Sequence, residues 1–150
     1  IAVMNKGNLE QIDKPGAIYA TPQTLFVADF IGAMNLMPAS AMDGTLTMGS
    51  QSLRLPGSLT GSGLTVAIRP EDVRIGEGGW KGTVTGVSDL GHYQKVYAQV
   101  DGLPAPKGAS NNAFKLYLPK HVNAVEGGSL AFAPTRCMIF GAGEPIEVRL

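Results

Sequence analysis

The sequence has little of what several functional classes require. Cys137 is the single cysteine among 150 residues, which excludes an intrachain disulfide framework and a zinc site built from several cysteines. No run of 18 apolar residues occurs, so no segment is long and apolar enough to cross a bilayer as a helix. A single cysteine suits a reducing compartment.

Charge of either sign is also scarce. Twelve basic residues balance twelve acidic ones, so the formal net charge is zero. Phosphate neutralisation supplies most of the affinity of nucleic-acid binders, and a polybasic anchor needs an excess of Lys and Arg. The composition therefore disfavours a nucleic-acid partner and an electrostatic membrane anchor.

Glycine, proline and apolar residues are abundant. Twenty glycines and ten prolines make up a fifth of the chain, and 44% of the residues are hydrophobic. The usual share of Gly and Pro together is about 12%. Frequent turns around a substantial core are expected, and long helices are not.

Residues 1–33 predict a short arm made of a hairpin and two helical pieces. Residues 1–4 form an apolar run that ends at a turn containing Gly7, and residues 9–12 supply the return strand. Pro15 suits the first turn of a helix, where its missing N–H costs nothing. The arm is too small for a core of its own and must pack against another surface.

The second helical piece begins after residue 21. Thr21 is expected to cap it and Pro22 to occupy its first position. Leu25, Phe26 and Phe30 then fall near one stripe. We expect this stripe to lie on apolar surface, so that replacing Phe30 by Asp would destabilise the fold.

Residues 34–150 predict mainly strands. Apolar residues alternate over short segments separated by turns rich in Gly, Pro and Asp, and such spacing indicates a small β-barrel or sandwich. The predicted strands are residues 45–48, 53–55, 64–69, 95–100, 114–118, 130–132, 137–139 and 146–150.

The arm resembles the end of the ATP-binding subunit of an ABC importer. The residues that carry the resemblance are 1–7, Gln11-Ile12, Pro15, Ile18-Tyr19, Pro22 and the string Phe26-Val27-Ala28-Asp29-Phe30-Ile31-Gly32. In that family this stretch follows the catalytic His of the nucleotide-binding domain and leads into a C-terminal accessory domain. Departures at Asp13, Gly16 and Ala17 fall in a surface turn.

The remainder resembles the transport-associated OB-like domain, or TOBE domain. The string Val66-Ala67-Ile68-Arg69-Pro70-Glu71-Asp72-Val73 is the most diagnostic part, and residues 82–91, 127–132 and 136–140 also fit. The resemblance implies a strand within residues 82–91. The expected fold is therefore mainly β, a small OB-like β-barrel preceded by the hairpin-and-helix arm. The resemblance implies two regions, residues 1–33 as the end of the ATPase domain and residues 34–150 as the accessory domain.

The resemblance also implies a function and partners. The chain would be the accessory and regulatory part of an importer ATPase that pairs with a second copy and with permease subunits, in the cytoplasm on the inner face of the membrane. The sequence contains no Gly-x-x-x-x-Gly-Lys-Ser/Thr phosphate loop. We therefore expect the chain alone to be no enzyme and to hold no cofactor, with ATP and magnesium bound by parts that precede Ile1 in a longer protein.

Five residues are candidates for an interface or regulatory site: Phe26, Phe30, Arg69, Glu71 and His92. No catalytic or metal-ligating residue is proposed. For Arg69 the competing interpretation is structural, with the guanidinium paired to a carboxylate at a strand exit. For His92 it is a solvent-facing side chain in a loop.

Other features allow an alternative function, a stand-alone small-ligand or oxyanion sensor. The polar loops at residues 61–63 and 108–112 have backbone N–H groups that could hold an oxyanion, although ordinary hairpin tips look the same. A base-stacking platform would use Trp80, Tyr93, Tyr97 and Tyr117, but the zero net charge opposes it. His121 lacks neighbouring metal-ligand spacing, and Cys137 is expected to be a buried, inert thiol.

Overall fold

The computed structural model describes residues 1–109 and 112–150. Within these residues the chain forms two short helices and twelve strands, so the predicted mainly β fold class is confirmed. In chain order the elements are β1 Ala2–Asn5, β2 Asn8–Ile12, α1 Pro15–Ala20, α2 Leu25–Phe30, β3 Asn35–Met42, β4 Thr45–Met48, β5 Gln51–Arg54, β6 Gly61–Ile68, β7 Val73–Asp89, β8 Tyr93–Val100, β9 Phe114–Pro119, β10 Ser129–Pro134, β11 Arg136–Phe140 and β12 Ile146–Arg149.

The strands form three antiparallel sheets. β1 and β2 pair alone as the predicted hairpin. A six-stranded sheet has the order β12-β11-β6-β3-β4-β5, and a four-stranded sheet has the order β10-β7-β8-β9. The two larger sheets curl around one shared core, consistent with the predicted OB-like barrel.

The main core lies between the two larger sheets. Strand β6 alternates as predicted and directs Leu64, Val66 and Ile68 into it. From the other sheet Trp80 meets the ring of Phe114 at 6.2 Å between centroids and at a nearly perpendicular angle. Such edge-to-face pairs add to the stability that the burial of apolar area provides. Trp80 is therefore a core residue, and the hypothesis that it belongs to a base-stacking platform is wrong.

Helix α2 covers the opposite face of the six-stranded sheet. Ala28 packs there with Leu36 and Ala67, while the neighbouring Val27 packs with Val3 and Ile18 of the arm. The small side chains of Ala28 and Ala67 let the helix approach the sheet closely. The prediction that the arm packs against another surface is confirmed, and that surface is the outer face of the barrel.

Strand β3 was not predicted from the sequence. It lies between β6 and β4 in the six-stranded sheet, yet Pro38 and a bulge between Ala39 and Ala41 interrupt its alternation. Proline cannot donate to a ladder, and a bulge shifts every following side chain to the other face. The apolar period of two that identifies a strand is thereby lost.

Strand β7 is longer than predicted. It runs for 17 residues from Val73 to Asp89, whereas the resemblance implied a strand only within residues 82–91. Its first half is rich in glycine, including Gly76 and Gly78 with positive φ. Glycine is uncommon in strand interiors and concealed this half of the strand.

The cap of α2 also differs from the prediction. Thr24 is the N-cap, and its hydroxyl accepts a hydrogen bond from the N–H of Val27 at 3.2 Å. Thr21 instead ends α1, where its hydroxyl donates to the carbonyl of Ala17 at 3.0 Å. The expectation that Thr21 and Pro22 begin the second helix is wrong, because the arm turns once more before α2 starts.

Candidate functional site

Arg69 joins the arm to the barrel. It follows β6 and is only 2% exposed. Its Nη1 donates to the carbonyls of Ile31 at 2.7 Å and Ala33 at 3.1 Å, and its Nη2 donates to the carbonyl of Tyr19 at 3.0 Å. The guanidinium carbon lies 4.0 Å from the centre of the Tyr19 ring. One side chain thus holds both the end of α1 and the segment that follows α2.

The local chain explains why an arginine is needed here. The last carbonyls of a helix have no partner within the helix, and two short helices end close together at this point. A planar guanidinium can donate in several directions at once, which a lysine cannot reproduce. Burial lowers the pKa of Arg69 from its usual value, and the nearby Tyr19, Glu71 and Asp72 oppose that shift.

Gly32 makes room for this arrangement. It has a φ of +74°, and a Cβ at this position would stand 3.2 Å from Cε2 of Tyr19 and 3.6 Å from Nη1 of Arg69. The left-handed conformation is unfavourable for residues with a side chain. Glycine therefore allows the segment after α2 to turn beneath the stacked pair of Tyr19 and Arg69.

Glu71 holds the hydroxyl end of Tyr19, the residue whose carbonyl Arg69 binds. Its Oε1 accepts a hydrogen bond from the hydroxyl of Tyr19. Burial, together with this bond and the charge of Glu71, raises the pKa of Tyr19 to about 12. The Tyr19 hydroxyl therefore keeps its proton and donates it in this hydrogen bond.

A second arginine reinforces the attachment. Arg136, at the start of β11, donates from Nη2 to the carbonyl of Ala20 and from Nε to Oε1 of Glu147 at 2.9 Å. Its Nη1 lies 3.6 Å from Oδ2 of Asp72. Burial raises the pKa of Asp72, and the charge of Arg136 works against that rise. We call Arg69 and Arg136, with the arm carbonyls that they bind, the arginine latch.

The latch corrects one sequence expectation and adds a residue that the sequence did not reveal. The hydrogen bonds of the Arg69 guanidinium go to carbonyl oxygens, so the expected pairing with a carboxylate is wrong. It is Arg136 that pairs with carboxylates. The signal that could have identified both arginines is the pair of helix ends at Ala20 and Phe30, whose free carbonyls require donors.

Glu71 and His92 come together at a different place. Both line an open groove beside Tyr93 and Tyr117 at the end of the four-stranded sheet. His92 is exposed, as expected for a loop, and its ring lies 4.8 Å from that of Tyr93. Glu71 therefore contributes to both the latch and the groove, whereas Arg69 is buried behind it.

Phe26 and Phe30 lie on α2, where their rings stack at 5.5 Å. Phe26 packs partly against the cluster of Val3, Ile18 and Val27. Phe30 is 65% exposed, so the expectation that it packs on apolar surface is wrong for this chain. The helix turns Val27 and Ala28 inward instead, because it lies between the arm cluster and the barrel.

The remaining candidates are placed as follows. Cys137 is 1% exposed, which confirms the buried thiol, and burial raises its pKa to about 12. Residues 61–63 begin β6, and Ser110 and Asn111 of the loop at 108–112 lie outside the described residues. In the described ranges, no three His, Cys, Asp or Glu side chains gather as a metal site would require. No helix in those ranges is long and apolar enough to cross a membrane.

Fold and latch together define an OB-like β module to which a helical arm is firmly attached. A family model described as the TOBE domain matches residues 66–140, a range that includes Arg69, Glu71, His92 and Arg136. The chain belongs to the TOBE domain family. The sequence resemblance to this domain is thereby confirmed.

Curated relatives extend the similarity beyond residues 66–140. The chain is 34% identical over 139 residues to the sn-glycerol-3-phosphate import ATP-binding protein of Ruegeria pomeroyi, covering 90% of this chain and 37% of that protein. It is 30% identical to the sulfate/thiosulfate import ATP-binding protein of Xanthomonas campestris, covering 85% and 36%. A spermidine/putrescine import ATP-binding protein of Nitrosospira multiformis is 43% identical, covering 50% and 23%.

These relatives confirm the resemblance to ATP-binding subunits of importers. The chain spans little more than a third of their length at most. The division of the chain at residue 33 and the roles of the five candidate residues stay predictions.

Proposed function

We propose that this chain is the accessory and regulatory region of an ATP-binding subunit of a binding-protein-dependent ABC importer. In this proposal residues 1–33 complete the nucleotide-binding domain and residues 34–150 form the accessory domain. The complete protein would hydrolyse ATP with magnesium. It would work at the cytoplasmic face of the membrane, beside the permease and a second copy of itself.

The observation that carries the proposal is the apolar surface of the arm. Met4 is 53% exposed, Leu9 55%, Ile12 68% and Phe30 65%. Large exposed apolar side chains of this kind mark surfaces that another body covers. A two-stranded hairpin such as β1–β2 is also marginally stable without a partner. An upstream ATPase core, of the kind that the names of the relatives indicate, would supply both.

A regulatory role follows from how firmly the arm is held. An ATPase pair opens and closes, and a rigid module attached to each subunit can provide a second contact away from ATP. Any ligand or partner that prefers one arrangement of the modules then shifts the equilibrium between open and closed states. The latch and the packing of α2 on the sheet supply the rigidity that this mechanism needs.

A graft tests the proposal. Residues 1–150 would replace the matching region of the Ruegeria relative, and ATP hydrolysis and dimerisation would be measured against the unaltered relative. We expect the graft to dimerise and to keep ATP hydrolysis within about threefold. A graft that folds and binds ATP but neither pairs nor hydrolyses would contradict the proposal.

The graft also tests the apolar surface of the arm. Phe30→Asp should weaken ATP hydrolysis and thermal stability in the graft, because the carboxylate would face the ATPase core. Val125→Asp is the matched control, since Val125 is 57% exposed on the barrel. Equal ATP hydrolysis and equal thermal stability of the two variants would contradict the inference that the ATPase core covers the arm.

Self-association of the chain by itself is a second measurement. We expect a weak homodimer in sedimentation velocity experiments, formed through barrel surface and the exposed arm, and a lower dimer fraction for Phe30→Asp. Interfaces below roughly 1,200 Å² are usually transient, so the series should reach high micromolar concentration. A strict monomer there would refute dimerisation through these surfaces.

A further inference from the structure

An open aromatic groove lies at one end of the four-stranded sheet, where β8 begins and β9 ends. Its volume is about 420 Å³. Six residues line it: Glu71, His92, Tyr93, Tyr117, Leu118 and Pro119. We refer to it as the tyrosine groove.

The walls of the tyrosine groove are rings set at steep angles. The ring centres of His92 and Tyr93 are 4.8 Å apart with 58° between the planes, and those of Tyr93 and Tyr117 are 5.3 Å apart at 61°. Because the rings are not parallel, more than one ring face borders the groove. The face of a tyrosine ring carries negative partial charge and attracts cations.

The one carboxylate in the lining belongs to Glu71. Tyr19 donates its hydroxyl to Oε1, which holds the side chain in place. Among the described residues no donor reaches the second oxygen, Oε2. The groove therefore combines aromatic faces with an anchored negative charge.

A neighbouring lysine already lies close to one of these rings. Lys95 lies directly across the strand pair from Tyr117, and its Nζ is 5.9 Å from the centre of that ring. This ammonium group belongs to the chain and is tethered to the sheet. Its charge must weaken the binding of any further cation nearby.

We propose that the tyrosine groove binds an organic ammonium ion, with the charged head against Glu71 and over the rings of Tyr93 and Tyr117, and the alkyl part on Pro119. Charge complementarity selects this occupant. A carboxylate at the rim repels anions, and a neutral apolar ligand makes no use of it. The proposal does not depend on the function proposed above.

Binding would also affect the arm. Glu71 shares its carboxylate between the groove and Tyr19, and the Tyr19 ring covers the guanidinium of Arg69. An ammonium ion that binds the Glu71 carboxylate therefore changes the hydrogen bond to Tyr19, the residue whose carbonyl Arg69 also binds. Exchange of the Thr21 amide, which donates to Ala17 at the end of α1, reports this effect.

The experiment is an NMR titration of the whole chain with n-butylammonium chloride, following the aromatic signals. Sodium chloride controls for ionic strength, and n-butanol and sodium butyrate are the neutral and anionic counterparts. We expect saturable shifts of the Tyr93, Tyr117 and His92 signals with butylammonium alone. No shifts, equal shifts with butanol, or shifts with butyrate instead would each overturn the proposal.

Four variants locate the site. Glu71→Gln keeps an acceptor for Tyr19 and should weaken binding about fivefold, and Tyr93→Leu should weaken it similarly because it keeps apolar bulk but loses the ring. Lys95→Met should tighten binding about twofold by removing the competing charge. The control is Glu77→Gln, which removes an exposed carboxylate of β7 outside the groove. Equal affinities for Glu71→Gln and Glu77→Gln, or weaker binding by Lys95→Met, would refute the assignment.

Discussion

Replacing Arg69 by Met tests whether the arginine latch holds the arm to the barrel. Methionine preserves most of the apolar stem and removes the guanidinium. The change leaves the carbonyls of Tyr19, Ile31 and Ala33 without their donor in a partly buried place. Hydrogen bonds to charged groups contribute about 1.5–3 kcal/mol each but are not additive.

The expected loss is therefore about 2–4 kcal/mol, because each carbonyl left without a partner costs about 1–3 kcal/mol and these three are only partly buried. A domain of this size has a free energy of unfolding of about 5–15 kcal/mol, so the loss would be a large share of it. Urea unfolding followed by circular dichroism measures the change. Hydrogen exchange should show that the amides of Thr21 and Ile31 lose protection before those of β6.

Arg149→Met is the matched control for this variant. The side chain of Arg149 is 82% exposed, and its Nη2 lies 3.2 Å from Oε1 of Glu147. Exposed ion pairs contribute little, so the control should stay within about 0.5 kcal/mol of the parent chain. The reasoning fails if Arg69→Met is as stable as Arg149→Met, or if the arm amides keep their protection.

Three further predictions concern the turn, the buried thiol and ATP. Gly32→Ala should lower the free energy of unfolding by about 1–2 kcal/mol, because Gly32 has a positive φ and an added Cβ would stand 3.2 Å from the Tyr19 ring. The control is Gly16→Ala in α1, where the added Cβ has open space, and it should be neutral or slightly stabilising in the same urea assay. Burial raises the pKa of Cys137 from 9.0 to about 12, so the stability that the protonated native thiol contributes is complete below pH 9.0 and is lost as the pH rises towards 12. Unfolding measured from pH 8 to 11 should therefore show a steeper alkaline loss of stability for the parent chain than for Cys137→Ala. Parallel curves for the two proteins would refute this. Calorimetric titration of the chain with Mg-ATP should give no binding heat, since the sequence lacks a phosphate loop, and micromolar affinity would contradict that expectation.

Strands with unbroken alternation could be predicted from the sequence, and those with an interruption could not. The segment at 64–69 places an apolar side chain at every second position, and it became β6. Segment 35–42 carries Pro38 and a bulge, so its position beside β6 depends on pairing across the sheet that no local pattern records. The glycine-rich first half of β7 was missed because glycine contributes no side chain to the period.

Part of the candidate site was predictable from the sequence, but Arg136 and the partners of both arginines were not. The string around Arg69 and Glu71 stood out in the sequence. That Arg69 binds carbonyls of the arm, 36 to 50 positions away, depends on where two helix ends meet in space. Phe30 was misplaced for a similar reason, because helical periodicity identifies a stripe but does not say which neighbour the helix will face.

The packing of α2 has a mechanical consequence. Its adjacent residues Val27 and Ala28 are both fully buried, one against the arm and the other against the sheet. No hinge can lie between two such residues, because a rotation about either contact would open a void at the other. Arm and barrel therefore transmit torque as a single lever.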